Sequence, residues 1–233
     1  MALRYQDVFF DLDHTLWDFE INSKITLHRV FEFHQLFSKT GVEFDVFHET
    51  YKIHNQYYWK QYTLGLIKQE DLRWNRMNQT LDEYGVQDLS LAKQLSKYYL
   101  DKLPESAQLF PHTVELLTYL KSRNYRLHIL SNGFEEVQHK KLACSGIHSF
   151  FDYIVTSEAS QCVKPKKEIF DYALSKSGAT REKSIMVGDN PEVDLQGALN
   201  ADIHSIYVDH QDQPSQVPYT YAVRNLKEIE SLL

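Results

Sequence analysis

The sequence predicts an α/β fold: a parallel sheet with helices on both faces, plus an inserted all-helical block. Short apolar runs alternate with helical windows in the second half of the chain, which is the pattern of a parallel sheet. One similar run opens the chain, and purely helical periodicity from about residue 17 to 107 separates it from the others. All six prolines lie at or after Pro104. The expected architecture is therefore Rossmann-like, with one helical insertion.

The predicted strands are short apolar runs bounded by turn or helix signals. They are expected at 8–10, 127–130, 153–155, 185–187 and 203–208, with a weaker strand at 221–223. Helices between them are expected at 112–121, 135–142, 166–176 and 192–200. Three of these helices follow a proline (Pro111, Pro165, Pro191) and two precede a glycine (Gly146, Gly178), as helix starts and ends favour.

The helical block contains four windows in which apolar or aromatic residues recur at three- and four-residue spacing. These windows are 27–37, 47–62, 74–84 and 92–103. Asn22, Asp45 and Asp88 are expected to cap three of the helices, and Gly85 to follow the third. The predicted division is an α/β domain of residues 1–16 and 108–233 and a helical domain of residues 17–107.

Composition and charge exclude several classes of protein. The 233 residues are 42% hydrophobic and 24% charged, which excludes collagen-like and disordered chains. A net charge of −7 argues against a nucleic-acid or anionic-membrane partner. No apolar run approaches the roughly 18 residues of a membrane span. The first residues lack a secretory-signal pattern, and Cys144 and Cys162 form no metal or disulfide framework, so a cytoplasmic location is expected.

Polar residues that follow the predicted strands are the candidates for chemistry, because the working crevice of an open parallel sheet lies beyond the carboxyl ends of its strands. They form four groups along the chain: Asp11-Leu12-Asp13-His14-Thr15-Leu16, Ser131-Asn132-Gly133, Lys164-Pro165, and Gly188-Asp189-Asn190 with Asp194. The carboxylates suit a hard divalent cation, whereas a hydroxyl, an ammonium and turn amides suit phosphate oxygens. This combination indicates phosphoryl transfer to a carboxylate.

The order DxDxT, SNG, KP and GDN-x3-D resembles the four signature motifs of the haloacid dehalogenase superfamily. The helical insertion resembles the α-helical cap domain found in part of that superfamily, and the resemblance spans nearly the whole chain. The segment FDLDHTLWDF at 10–19 is similar to a subgroup of 5′-nucleotidases that favour pyrimidine and noncanonical nucleoside monophosphates.

The resemblance implies three catalytic residues. Asp11 is expected to be the nucleophile that forms an aspartyl-phosphate. Asp13 is expected to protonate the leaving alkoxide and then to accept a proton from the attacking water. Lys164 is expected to offset negative charge in the transition state.

The resemblance also implies metal and phosphate sites. The Asp11 carboxylate, the Asp13 main-chain carbonyl and Asp189 are expected to hold Mg²⁺. The phosphate-binding groups are expected to be Ser131, Lys164 and the backbone amides of Leu12, Asp13 and Asn132. Thr15 is expected to order the loop. Asp194 has three interpretations: it holds the metal-binding residues in place without touching the metal, it binds the metal through water, or it caps the helix that it opens.

Three further residues lie beside these motifs. Histidine side chains in general titrate near neutrality, but Asp13 already fills the acid/base role here, so a hydrogen-bonding role is favoured for His14. Trp17 and Phe19 flank the motif and are candidates for contact with a nucleoside.

The favoured function is a Mg²⁺-dependent phosphomonoesterase for a small phosphorylated metabolite, above all a pyrimidine-type nucleoside 5′-monophosphate. A sugar phosphate, phosphoglycolate or a phosphoglucomutase-type transfer is the alternative. A 2-haloacid dehalogenase needs neither the metal nor Asp13, which argues against that activity. A non-catalytic binding protein is expected to have lost Asp11, Asp13, Lys164 or Asp189, and the chain retains all four.

Overall fold

The computed structural model describes residues 4–210 and 212–233. Six strands form one sheet in the spatial order β3-β2-β1-β4-β5-β6, and every neighbouring pair is parallel. The strands are β1 (Asp7–Phe10), β2 (Arg126–Ser131), β3 (Tyr153–Thr156), β4 (Ser184–Gly188), β5 (His204–Val208) and β6 (Tyr221–Val223). The predicted α/β, Rossmann-like fold is confirmed.

The register of the central strands brings three chain segments to one edge of the sheet. Phe10, at the end of β1, lies opposite Ile129 of β2 and Val187 of β4. The Asp11 amide continues this ladder by donating to the Val187 carbonyl at 2.9 Å. Because parallel strands end at the same edge, the residues after β1, β2 and β4 become neighbours.

Chain contacts divide the protein into two compact units. The sheet unit comprises Met1–Phe19 and Ala107–Leu233, and the helical unit comprises Glu20–Ser106. Trp17 and Asp18 belong to the sheet unit, since Trp17 bridges to Leu109 and the Asp18 amide donates to Gln108. A cap function for the helical unit stays a prediction.

The helical unit contains five α-helices along the chain. They are α1 (Phe19–Phe33), which begins in the sheet unit, α2 (Leu36–Thr40), α3 (Phe44–Thr63), α4 (Gln69–Asp82) and α5 (Leu89–Lys102). The expectation of one helix across 27–37 is wrong. Gln35 adopts a left-handed φ of 51° that separates α1 from α2, and Phe33 and Phe37 are exposed instead of packed.

In the helical unit, two of the four predicted capping residues are confirmed. The Asp88 side chain accepts from the Leu91 amide at the start of α5. Gly85, with φ 73°, follows α4 and donates to Asp82. Asn22 and Asp45 are wrong as caps, because α1 and α3 begin earlier than their apolar periodicity and both residues lie inside the helices.

The described part of the sheet unit contributes five further α-helices. They are α6 (Thr113–Ser122), α7 (Glu135–Cys144), α8 (Ser157–Ser160), α9 (Lys167–Ser177) and α10 (Gln196–Asn200). On one face of the sheet, Phe9, Leu130 and Met186 pack in one buried cluster with Ile169 and Phe170 of α9. In the described ranges, no helix has the length and apolarity needed to cross a membrane.

The predicted helix at 192–200 is partly wrong. Residues Pro191–Leu195 form a π-helical turn, and only Gln196–Asn200 are α-helical. The Asn190 carbonyl accepts from the amides of Val193, Asp194 and Leu195, and the Asn190 side chain accepts from the amides of Glu192 and Val193. This wider turn places Asp194 beside the end of β4.

Candidate active site

Three carboxylates that are distant in sequence meet beyond the carboxyl edge of the sheet. Ligand oxygens of Asp11, Asp189 and Asp194 all lie within 4.8 Å of one another. Asp11 follows β1 and Asp189 follows β4, whereas Asp194 lies in the π-helical turn. The structure therefore brings together three of the predicted site residues, among them Asp194.

Lys164 is buried against two members of this cluster. Its Nζ donates to Asp11 Oδ1 at 2.5 Å and to Asp194 Oδ1 at 2.7 Å, and its side chain is 1% exposed. Burial by itself lowers the pKa of a lysine, but the two carboxylates outweigh burial and raise the pKa of Lys164 above its usual value. Lys164 is therefore a fixed positive charge in contact with the predicted nucleophile.

Burial and mutual repulsion act on the carboxylates themselves. Burial raises the pKa of Asp11 well above its usual value, with a counteracting effect of Lys164 and a further increase from Asp194. Desolvation and the nearby Asp194 raise the pKa of Asp189 to about 7, although Thr15 Oγ1 donates to Asp189 Oδ1 at 2.7 Å. The Thr15 hydroxyl thus holds a carboxylate, which extends its predicted role of ordering the loop.

The chemistry of this cluster suits a divalent cation. Within the described residues, these three carboxylates are paired with one ammonium, that of Lys164, which leaves two negative charges uncompensated when all groups are ionised. Hard oxygen ligands in such a group are the donors that Mg²⁺ prefers. Burial is the largest cause of the raised pKa values of Asp11 and Asp189, and repulsion from Asp194 adds to both.

Three backbone amides at the strand ends are available to a ligand. The N–H groups of Leu12, Asp13 and Asn132 donate to no protein group within the described residues. Leu12 is nevertheless fully buried, and its carbonyl accepts from the amides of Leu16 and Trp17, which closes the loop after β1. Because buried amides are nearly always paired, these donors fit oxygen atoms of a bound phosphate.

The Asn132 side chain makes two contacts that were not predicted from the sequence. Its Oδ1 accepts from the Lys164 amide at 2.7 Å, and its Nδ2 donates to the Lys164 carbonyl at 3.0 Å. The pair of bonds fixes the backbone from which the Lys164 side chain reaches Asp11. No sequence signal links the two residues, because only the fold makes the segments after β2 and β3 adjacent.

Asp13 lies apart from the carboxylate cluster and contacts α7. Lys141 Nζ donates to its Oδ1 at 2.5 Å, and Gln138 Nε2 donates to its Oδ2 at 2.8 Å. Ser131 Oγ joins this group by accepting from Gln138 at 3.1 Å and from the Gly133 amide at 3.1 Å. Gln138 and Lys141 were missed in the sequence. Their one signal is the spacing of three, which places two long polar side chains on the same face of a helix.

Comparison with known proteins shows the family. The model of haloacid dehalogenase-like hydrolases matches residues 7–202. The chain belongs to the haloacid dehalogenase-like hydrolases. The resemblance drawn from the four motifs is therefore confirmed, and the protein is a hydrolase of this family.

Two nucleotidases are similar to this hydrolase over nearly their full lengths. Pyrimidine 5′-nucleotidase YjjG of Escherichia coli is 30% identical, with 99% of each chain covered. Pyrimidine 5′-nucleotidase PynA of Streptococcus pneumoniae is 29% identical, over 97% of this chain and 93% of that protein. A glyceraldehyde 3-phosphate phosphatase of Methanothermobacter thermautotrophicus is 43% identical over 44% of this chain and 45% of that protein.

Solved structures agree with the fold. The structure of the HAD-hydrolase YfnB of Bacillus subtilis, bound to magnesium, has a TM-score of 0.90 and 27% identity, with 99% of each chain covered. An L-2-haloacid dehalogenase of Xanthobacter autotrophicus has a TM-score of 0.76 at 16% identity and covers 98% of each chain. At this identity, the similarity to the dehalogenase shows a shared fold and nothing about activity.

The residues beside the first motif differ from expectation in one respect. His14 adopts a left-handed φ of 67°, and its ring lies 4.9 Å from that of Phe19. The His14 amide donates to the Trp17 carbonyl at 2.9 Å, which is a backbone contact, so the hydrogen-bonding role of the His14 side chain stays a prediction. Trp17 is fully buried, so in this conformation it offers no ring face to a nucleoside.

Gly188 is required where Asp194 approaches the end of β4. A Cβ at this position would lie 2.4 Å from Asp194 Oδ2, which is closer than atoms can approach. We expect Gly188→Ala to displace Asp194 and to weaken Mg²⁺ binding roughly tenfold or more, as changes around metal ligands commonly do. Isothermal titration of Mg²⁺ into both proteins measures this effect. Equal affinities would show that the position of Asp194 does not matter to the metal.

Proposed function

We propose that this hydrolase is a Mg²⁺-dependent phosphomonoesterase that works through an aspartyl-phosphate and acts on pyrimidine-type nucleoside 5′-monophosphates. The observation that carries the reaction type is the buried Asp11 carboxylate, which lies against Lys164 in a cluster with Asp189 and Asp194. The substrate class is supported by the similarity to YjjG and PynA.

The residues that would hold Mg²⁺ are the Asp11 and Asp189 carboxylates with the main-chain carbonyl of Asp13. Asp194 supports this group from the π-helical turn, where its Oδ1 accepts from Lys164 and its Oδ2 from the Asn190 amide. When bound, the metal supplies positive charge to the phosphate and to the carboxylates that surround it.

In the first step, an Asp11 oxygen attacks phosphorus and the bond from phosphorus to the leaving oxygen breaks. Asp13 gives its proton to that oxygen, so the product leaves as a neutral alcohol. Lys164 and the amides of Leu12, Asp13 and Asn132 stabilise the negative charge on the phosphate oxygens, with a further hydrogen bond from Ser131. The result is a phosphorylated Asp11.

In the second step, a water oxygen attacks the phosphorus of the aspartyl-phosphate. Asp13 takes a proton from this water, and the bond between phosphorus and Asp11 breaks. Inorganic phosphate is released, while Asp11 returns as a carboxylate and Asp13 returns to its protonated form. One phosphomonoester and one water thus yield one alcohol and one phosphate.

A smaller phosphorylated metabolite is the second candidate substrate. It is favoured by the similarity of 44% of this chain to a glyceraldehyde 3-phosphate phosphatase. Dehalogenation is disfavoured because that reaction has no leaving alkoxide and so no use for Asp13 as an acid.

A panel of phosphomonoesters tests the substrate class. Phosphate release is measured with Mg²⁺ for purine and pyrimidine 5′-monophosphates, sugar phosphates, glyceraldehyde 3-phosphate, phosphoglycolate and pyrophosphate. We expect the highest kcat/KM for pyrimidine nucleotides, and no turnover after the metal is chelated. Faster hydrolysis of glyceraldehyde 3-phosphate would overturn the nucleotidase assignment while leaving the phosphatase mechanism in place.

Asp13→Asn separates binding from turnover. The substitution replaces the carboxyl group, which gives and takes the proton, with an amide of similar size. We therefore expect kcat to fall by about 10²–10⁴-fold, the usual contribution of general acid-base catalysis, with little change in KM. Steady-state kinetics on the best nucleotide measure both constants. A kcat near that of the unchanged enzyme would show that Asp13 is not the acid and base.

A further inference from the structure

A pair of donors on one face of α7 holds the carboxylate of Asp13. Lys141 binds one oxygen and Gln138 binds the other, at 2.5 and 2.8 Å. Two donors on two different oxygens define the plane of a carboxylate as well as its position. Because the proposed reaction requires Asp13 to face the phosphorus in both steps, its orientation bears directly on the rate.

Lys141 occupies a position that is costly for a lysine. Its side chain is 2% exposed, and its Nζ lies 4.3 Å from the centroid of the buried Trp17 ring. Burying an ammonium costs free energy unless it is paired, and here Asp13 is the carboxylate that pairs with it. The Trp17 ring holds the ammonium in place through a cation–π contact.

Gln138 is also buried, with 1% exposure. Its Nε2 donates to Asp13 and to Ser131, whereas its Oε1 has no hydrogen-bond partner in the described part of the chain. An unsatisfied buried oxygen is unfavourable. The two hydrogen bonds that the Gln138 amide nitrogen donates are therefore what favours this side chain at the site. Space for it depends on Gly133, where a Cβ would lie 1.7 Å from Gln138 Nε2.

We propose that Lys141 and Gln138 are positioning residues that orient Asp13 for catalysis, above all for the step in which water attacks the phosphorus of the aspartyl-phosphate. Both contacts are donated to Asp13, so they match a carboxylate that accepts a proton. Gly133 serves the same arrangement by leaving room for Gln138. This inference rests on the proposed function, because it assigns a use to the contacts of the proposed acid and base.

The test compares Lys141→Met and Gln138→Leu with Lys140→Met, a matched change on the adjacent, exposed residue of α7. We expect each of the first two to lower kcat for the best nucleotide by at least tenfold, with KM within about threefold of the unchanged enzyme. Lys141→Arg is expected to restore part of the loss, since a guanidinium also donates to a carboxylate and stacks on an aromatic ring. Gly133→Ala is expected to behave like Gln138→Leu.

p-Nitrophenyl phosphate, whose leaving group needs no proton, separates the two steps. In Lys141→Met we expect a rapid release of about one nitrophenolate per enzyme, followed by slow turnover, because the aspartyl-phosphate accumulates. The same substitution in an Asp13→Asn background should lower kcat by less than threefold, since the residue acts through Asp13.

Two results would overturn the inference: activity of Lys141→Met equal to that of Lys140→Met, or an equal loss with and without Asp13. The unfolding temperature of each variant is measured alongside its activity. If Lys141→Met fails to fold, Gln138→Leu and Lys141→Arg decide the matter. Failure of the proposed function has a different signature, because Asp13→Asn would then be as active as the unchanged enzyme.

Discussion

Asp11→Asn is expected to abolish phosphate release, with a loss of at least roughly 10⁴-fold in kcat, because an amide oxygen is a poor nucleophile toward phosphorus. The substitution keeps the shape of the side chain, and Asn Oδ1 still accepts a hydrogen bond from Lys164. The protein should therefore fold and bind substrate while failing to form the aspartyl-phosphate. Release of inorganic phosphate from the best nucleotide, in the presence of Mg²⁺, measures the loss.

The control for this experiment is Asp212→Asn. Asp212 is also a carboxylate in an ion pair, with Arg224, but its side chain is 72% exposed. Exposed pairs of this kind contribute little to stability, so activity and unfolding temperature should stay unchanged. Hydrolysis by Asp11→Asn at the rate of Asp212→Asn would eliminate Asp11 as the nucleophile, and with it the aspartyl-phosphate.

Lys164→Met is expected to damage both stability and catalysis. It leaves the buried carboxylates of Asp11 and Asp194 without their ammonium. Removal of one partner from a buried ion pair typically costs about 3–5 kcal/mol, which corresponds to a fall of roughly 10 °C in unfolding temperature. We also expect kcat to fall by roughly 10²–10³-fold, the usual effect of removing one stabilising group from a transition state.

The response to Mg²⁺ distinguishes this explanation from a simple packing defect. Without Lys164, Asp11 and Asp194 lose the ammonium that they contact, and a bound Mg²⁺ would offset a larger share of the charge on the three carboxylates. Mg²⁺ should therefore raise the unfolding temperature of Lys164→Met by more than that of the unchanged protein. Lys166→Met, at the exposed start of α9, is the matched control and should respond like the unchanged protein. A smaller metal-induced shift in Lys164→Met would contradict the proposed electrostatic role of Lys164.

Much of the site could be predicted because its chemistry is local in sequence. Asp11, Asp13 and Thr15 follow one strand, and Asp189 follows another, so a parallel sheet necessarily brings them to one edge. Lys164 was predictable only from its order among the motifs, since it follows β3 after the short helix α8 and does not stand at a strand end. The structure places it in contact with Asp11.

The contacts missing from the sequence prediction all join segments far apart in the chain. Lys141 and Asp13 are 128 positions apart, and Asn132 and Lys164 are 32 apart. Nothing in α7 marks Gln138 and Lys141 as buried, because long polar residues at helical spacing are usually solvated. Their burial follows from packing against the loop after β1.

Helix boundaries failed where the backbone follows tertiary contacts instead of apolar periodicity. The 27–37 window continues an apolar stripe past Gln35, yet the chain turns there and Phe37 lies exposed. In the 192–200 window, carbonyl and side-chain bonds to Asn190 widen the first turn, which brings Asp194 to Lys164. In both windows the backbone conformation thus follows contacts with other parts of the fold and not the apolar spacing of the sequence.

The amino-acid sequence alone determined the class of fold and the order of the motifs, and it suggested the proposed reacting groups, since these depend on local periodicity and on functional-group chemistry. The tertiary structure alone decided which groups meet. It set Lys164 between Asp11 and Asp194, turned Asp13 toward α7 and left the amides of Leu12, Asp13 and Asn132 without a protein partner in the described residues. The physical reason is that desolvation and pairing, which tune these charges, are properties of neighbours in space.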